Sequence, residues 1–213
     1  MGGQLMAHTV YLSSAYLAPV SYYAKLTRYD NAVIEQYDHY TKQTYRNRCR
    51  IASPTGVLEL TIPVVRTGQK TLMRDVRISE HGHWRRLHWN ALESAYGNTP
   101  FFMYYADDFR TLYDRHTEFL MDFNEELCRL VCSLIDIHPH LSRTETYETN
   151  LSTDNADFRE AIHPKKAFCE ADPSFIPRPY YQVFEHRHGF LPDLSIVDLL
   201  FNMGTESALY LSP

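Results

Sequence analysis

A chain of 213 residues, 44% apolar and 22% charged, is long enough to bury a full core and too apolar to stay disordered. Its 21 Lys and Arg stand against 26 Asp and Glu, a net charge of −5, so composition gives a nucleic-acid partner no electrostatic support. No apolar run approaches the ~18 residues of a membrane span, which argues against membrane insertion. The opening "MGGQLMAHTVYL" has no basic segment leading into an apolar one, so no secretory signal is expected. The four cysteines show no C-x-x-C spacing, and the pattern points to a reduced, cytoplasmic protein.

In chain order, "HTVYLSS" (8–14) reads as a strand and "VSYYAKLTRY" as a helix with Pro19 at its first position. Asp30 and Asn31 stop that helix, and "AVIEQY" (32–37) reads as a second strand. Strand, helix and strand at this spacing predict a parallel βαβ unit. "TYRNRCRI" and "VLELTIPV" alternate around the turn "SPTG" and predict an antiparallel hairpin, with Leu58, Leu60, Ile62 and Val64 inward. "RTGQK" reads as an exposed loop, and "RDVRIS" (74–79) as a further strand with Val76 and Ile78 inward. Three helices follow, on the stripes of Trp84, Leu87, His88, Ala91, Leu92 and Ala95, then of Phe102, Tyr105, Phe109 and Leu112, and then of Phe119, Phe123, Leu127, Leu130, Val131 and Leu134. Residues 141–160 are polar and aperiodic and read as a surface excursion. "YYQVF" reads as a short strand, and "LSIVDLLFNMG" as a helix with Ser195 as N-cap, Asp198 as a capping partner and Gly204 as stop. The fold class is α/β: a mixed sheet with an N-terminal parallel βαβ unit, an antiparallel hairpin and helices packed on the sheet, with α+β as the alternative. One domain over 1–213 is expected, its core formed by 8–140 and 173–211 and the excursion by about 141–172.

The candidate chemistry centres on "YTKQTYRNRCRI". On a strand, Arg46, Arg48 and Arg50 share one face at a spacing of ~6.6 Å, a row of guanidinium forks suited to phosphate or carboxylate. The plain alternative is a solvated face with ion pairs to Glu59 and Asp75. The row begins just beyond the C-terminal end of the second parallel strand, the edge at which open α/β sheets bind ligands. From the first strand, "SSAYLAP" reaches the same edge. It places the hydroxyls of Ser13, Ser14 and Tyr16 there and leads into a helix N-terminus, a natural anion site. No glycine-rich phosphate loop is present. The pairs His81/His83, His138/His140 and His186/His188 lack a third ligand in a recognisable arrangement, so no metal is assigned. His88 lies on the apolar stripe of its helix. It reads either as a buried, hydrogen-bonded core histidine or as a proton-transfer group. Cys49 points away from the arginines and reads as a core thiol, and no nucleophile elbow occurs.

The segments "SSAYLAPVSYYAKL", "YTKQTYRNRCRI", "LTIPV", "HWRRLHWNALESAYGNTPFFMYYADDF" and "LSIVDLLFNMG", in this order, resemble the WbqC-like protein family, in its Bacteroidetes-type branch, over most of residues 8–204. The resemblance implies a place in bacterial O-antigen and polysaccharide biosynthesis, where members occur in gene clusters. It also implies transfer of a glycine or acyl group onto a nucleotide-linked sugar precursor. Tyr16, Tyr45, Asn47, Arg48, Asp198, Asn202 and Gly204 fit the family pattern. Many members open with His-Gln-Pro-x-Tyr-Leu-Pro, whereas this chain carries Leu12, Ser13, Ser14 and Ala15 before Tyr16 and Leu17, and Ala18 after them. The expected site comprises His88 as catalytic group and Ser13, Ser14, Tyr16, Tyr45, Arg46, Asn47 and Arg48 around an anionic small molecule, a nucleotide sugar or an acyl donor, with no cofactor. A non-catalytic binding or scaffold subunit of the same pathway is the alternative.

Overall fold

The computed structural model describes residues 8–65, 70–149, 151–152 and 154–212; the 66–70 loop read from "RTGQK" lies almost wholly outside them. Strand β1 (Thr9–Ser13), helix α1 (Val20–Arg28) and strand β2 (Asn31–Glu35) form the βαβ unit, with β1 and β2 parallel in the register Thr9↔Asn31 to Ser13↔Glu35. Alternation sets this up. Val10 and Leu12 are sealed in the core while their neighbours are half-buried, as one buried face requires.

The hairpin is antiparallel: β3 (Arg48–Ser53) pairs with β4 (Gly56–Thr61) as a separate two-stranded sheet around the two-residue turn Pro54–Thr55. Cys49, Ile51, Leu60 and Ile62 point inward as the alternation predicts, but Leu58, near the hairpin tip, is exposed. Helices α2 (Trp84–Tyr96), α3 (Phe102–Asp114) and α4 (Leu120–Leu134) follow their apolar stripes. In α4, Phe123, Leu127 and Val131 are completely buried, and Leu87 is the one member of the α2 stripe left exposed.

The segment read as a surface excursion departs from that reading. Strand β5 (His140–Arg143) pairs in parallel with β2, and β6 (Asn155–Asp157) pairs in parallel with β1, giving the four-stranded order β5-β2-β1-β6. Both are outer strands of three or four residues with a single apolar side chain each, Leu141 and Ala156. Edges tolerate polar side chains, and so short a run shows no period of two. Two further expected strands are absent. Residues 73–75 form a 3-10 turn, after which Ile78 and Arg77 make only isolated bridges to Val64 and Phe119. "YYQVF" is an extended stretch ending in the short helix α6 (Glu185–His188), which follows α5 (Phe168–Ala171). Val76 and Ile78 are nonetheless buried, so the inward positions hold without a ladder.

Helix α7 (Ile196–Met203) starts where the sequence places it, with Ser195 Oγ accepting from the Val197 N–H, and is followed by α8 (Ser207–Leu211). Gly204 stops α7 at φ 60°, and a Cβ there would lie 2.5 Å from the Phe101 ring, so both backbone and packing demand glycine. The Asp198 side chain is no cap. It is fully buried and accepts from Tyr96 Oη at 2.9 Å, Tyr180 Oη at 2.7 Å and Gln182 Nε2 at 2.9 Å, tying α7 to α2 and the 180–182 segment. One cluster of buried apolar side chains runs from Val10 to Leu211. Among the described residues no helix is long and apolar enough to cross a membrane.

Candidate functional site

The ends of β1, β2 and β6 converge on one edge, and Ser13, Ser14, Tyr45 and Arg46 do meet there, around a space of only about 10 Å³. That is room for about one water. Charged side chains fill the rest. Arg46, which precedes β3 and is not part of it, is buried. Its Nε donates to Asp38 at 3.1 Å, and its terminal nitrogen contacts Asp38 again, Glu160 at 2.9 Å and Ser13 Oγ at 3.0 Å. Burial alone would lower the Arg46 pKa, and Asp38 and Glu160 more than reverse this and raise it. Alongside, Arg159 bonds the fully buried Glu35 at 3.0 Å and grips Asp157 through Nε and Nη2. Four carboxylates thus surround two guanidinium groups, which leaves no cationic excess for an incoming anion.

The other expected residues are likewise engaged within the protein. Ser13 Oγ donates to the Arg159 carbonyl at 2.8 Å, and Ser14 Oγ accepts from Asn124 of α4 at 3.0 Å. Asn47 donates to the Ile62 carbonyl at 2.7 Å. Arg48 pairs with Glu59 at 2.6 Å, as the plain reading of the strand has it, while Asp75 pairs with Arg74 instead. The Tyr16 hydroxyl is not at the edge at all. It lies in the core, 2.9 Å from His88 Nδ1 and in contact with Tyr113 Oη. His88 also bonds the Thr61 backbone, and burial pushes its pKa down to about 4 despite that bond. One tautomer satisfies everything: Nε2–H donates to the Thr61 carbonyl, and Nδ1 accepts from Tyr16, which accepts from Tyr113. His88 is thus neutral and packed against Trp84 and Tyr16, whose rings in turn pack on Phe123, the geometry of a core histidine. Cys49 is fully buried, and burial raises its pKa.

The open space is next door. A cleft of about 270 Å³ shares Tyr45 and Ile162 with the filled edge. It is bounded by the start of α1, by the segment after β6, by β3 and by the loop before α7. The strand order reverses at β1, with β2 on one side and β6 on the other, but Ser13, Ser14, Phe158 and Arg159 at those strand ends line the filled space, and the open cleft lies beside it. Arg50 of β3 reaches into it. Its guanidinium bonds the Tyr45 hydroxyl, and its Nε is buried without a hydrogen-bond partner. His163, Lys166 and Phe168 form the opposite wall. Burial pushes Tyr45 up to about 12, with Asp193 adding to the rise and Arg50 opposing it.

Two carboxylates complete the cleft. Asp172 is held by the buried Lys25 and by Ser174 Oγ at 2.6 Å. Asp193 lies at the N-terminus of α1, its Oδ1 accepting from the Ser21 N–H at 2.8 Å and its Oδ2 from Ser21 Oγ at 3.1 Å. The helix N-terminus expected to receive a ligand anion therefore holds one of the protein's own, supplied from 172 residues away. Burial raises Asp193 to about 6, against the pull of the Ser21 bonds and Arg50. Lys25, His163, Lys166, Asp172 and Asp193 had no sequence signal beyond residue type, because only the fold gathers them. A larger, shallower groove of about 430 Å³ beside α4 is lined by arginines that already have acids: Arg115 with Glu126, Arg129 with Glu125, and Arg143 with Asp122. Among the described residues no group of three or more His, Cys, Asp or Glu is placed to hold a metal ion.

The strand order defines an α/β protein with a four-stranded parallel sheet, a separate antiparallel hairpin and a small cleft beside the sheet edge. The chain belongs to the WbqC-like protein family, whose profile matches residues 14–166. It is also similar to a Mycobacterium tuberculosis (strain ATCC 25618 / H37Rv) protein named "Uncharacterized protein Rv1507c", at 27% identity over 227 residues, covering 97% of this chain and 98% of that one. No solved structure matches the chain.

Proposed function

We propose that the chain binds an anionic precursor, a nucleotide-linked sugar or an activated acyl donor, in the cleft lined by Arg50 and Asp193, and acts in bacterial polysaccharide and O-antigen biosynthesis as a glycine- or acyl-transferring protein. Family membership supports the pathway. The observation that carries the binding site is Arg50, a cation lining an open cleft with no acid paired to it among the described residues and an unmet buried donor. Arg46 and Arg48, the other two arginines of the segment, are already matched by protein carboxylates. At about 270 Å³ the cleft is slightly below the ~300–1,000 Å³ of drug-sized sites, so it takes one polar portion of such a precursor. Calorimetric titration with UDP-sugars and acyl-CoAs tests this. At least one should bind, and Arg50→Ala should abolish that binding while the fold is retained. No binding across the panel, or unchanged binding to Arg50→Ala, overturns the assignment.

One observation favours a second reading, a non-catalytic binding or scaffold subunit of the same pathway. The expected proton-transfer group, His88, is sealed in the core, and the histidine of the family's opening segment is absent here. A scaffold would co-purify with a protein partner and show no thermal shift with these small molecules. Ligand at 100 times its Kd would instead add about 2.7 kcal/mol to a binding enzyme.

A further inference from the structure

Arg50 and Asp193 line the same cleft with opposite charges and are not in ion-pair contact with each other. Each is incompletely answered by the protein. Arg50 has the Tyr45 hydroxyl and an orphaned Nε. Asp193 has one backbone N–H and one hydroxyl, both from Ser21, and no cation pairs with it among the described residues. Its backbone is left-handed at φ 54°, a conformation that persists only where the surroundings hold it. A simple anion seated on Arg50 meets repulsion from Asp193, and a simple cation meets the reverse. A ligand with both charges satisfies both walls.

We propose that the cleft takes a small zwitterion, with Arg50 receiving its anionic group and the Asp193 carboxylate receiving its protonated amine. This rests on the anion-binding role of the same cleft and names the class of molecule, or portion of a larger precursor, that enters it. The space suits the idea, since about 270 Å³, far more than the single-water gap of the filled edge, gives room for one amino sugar or amino acid. Apolar contact with Phe168, Val57 and Leu194 is available to the carbon frame between the charges.

The ionisation of Asp193 provides the signature. Tyr45 and Arg50 face it from the β3 side, Ser21 and Lys25 from α1, Asp172 from the segment after α5, and Tyr180 from the extended stretch before α6. Lys25 and Asp172 neutralise each other, and both tyrosines are held protonated by burial. Arg50 and, on the far wall, Lys166, whose Nζ donates to the Glu160 carbonyl, are then the cations without an acid, and Asp193 is the carboxylate without a cation among the described residues. Calorimetry with two matched probe pairs reads the outcome: glucosamine 6-phosphate against glucose 6-phosphate, and phosphoethanolamine against ethyl phosphate. Near neutral pH the amino member of at least one pair should bind about tenfold tighter, the size of one added charge interaction. That preference should shrink well below the pKa of Asp193 and vanish in Asp193→Asn, whose remaining carbonyl oxygen still accepts from Ser21. Because His163 also lines the cleft, the Asp193→Asn profile serves as the reference for its titration. Equal binding within both pairs, or a preference that survives Asp193→Asn, overturns the zwitterion and leaves the anion site standing. If the phosphates fail while a UDP-sugar or acyl-CoA binds, the zwitterion alone is again overturned. Failure of every anion overturns both.

Discussion

Arg46 and Arg50 stand four residues apart in the chain and line two neighbouring spaces whose surroundings could hardly differ more. Around Arg46 every charge is answered: Asp38, Glu160 and Ser13 meet the guanidinium, and Arg159 meets Glu35 and Asp157 beside it. Around Arg50, two steps along the strand past Arg48, the wall opens into a cleft and leaves Arg50 and Asp193 each short of a charged partner. The same contrast separates Tyr16, whose hydroxyl is locked between Tyr113 and His88, from Tyr45, which lines the cleft. The candidate site is therefore marked by charges left without a partner beside open space, and residue type alone does not reveal it.

The sharpest way to break this comparison is Arg46→Ala. Removing a buried partner strands Asp38, whose carboxyl burial already pushes upward in pKa, and the expected loss is about 3–5 kcal/mol in urea unfolding. A loss under 1 kcal/mol would mean that the filled edge is as loosely matched as the cleft. Next in size is the pH dependence carried by His88. Its folded pKa, about 4, lies below the unfolded value near 6.5, so its contribution is fully present above pH 6.5 and is lost as pH falls toward 4. Relative to His88→Gln, which cannot titrate, wild-type stability should fall over that interval by on the order of 3 kcal/mol. Asp193 and Asp198, both raised to about 6, act in the opposite direction but are common to the two proteins and cancel. Parallel stability curves would show that the imidazole is reached by water. The smallest effect is expected at Arg48→Ala, which removes one partly exposed pair with Glu59 and should cost about 0.2–1 kcal/mol with no change in ligand binding. A large binding defect there would move the site back onto the strand face.

Much of this architecture is legible in residue order. The apolar stripe of α4, the alternation of β1 and β3, the two-residue turn and the Ser195 cap each lie within a few turns of chain, and local geometry is enough to read them. The outer strands β5 and β6 are not legible, because "HLSR" and "NAD" owe their strand state to pairing with β2 and β1 and carry no pattern of their own. The proposed site is half legible. The βαβ unit points toward this part of the sheet edge, and Arg50 lies within the arginine segment, but alternation does not tell which arginine lacks an acid partner.

By itself, then, the sequence determined the kinds of element, the parallel start and the buried faces, because hydrophobic periodicity acts over a few residues. Only the tertiary structure decided which charges neutralise one another. Glu160 reaches Arg46 across 114 residues and Asp193 reaches Ser21 across 172. Electrostatic pairing depends on distance in space, and the spacing of residues along a chain does not encode it.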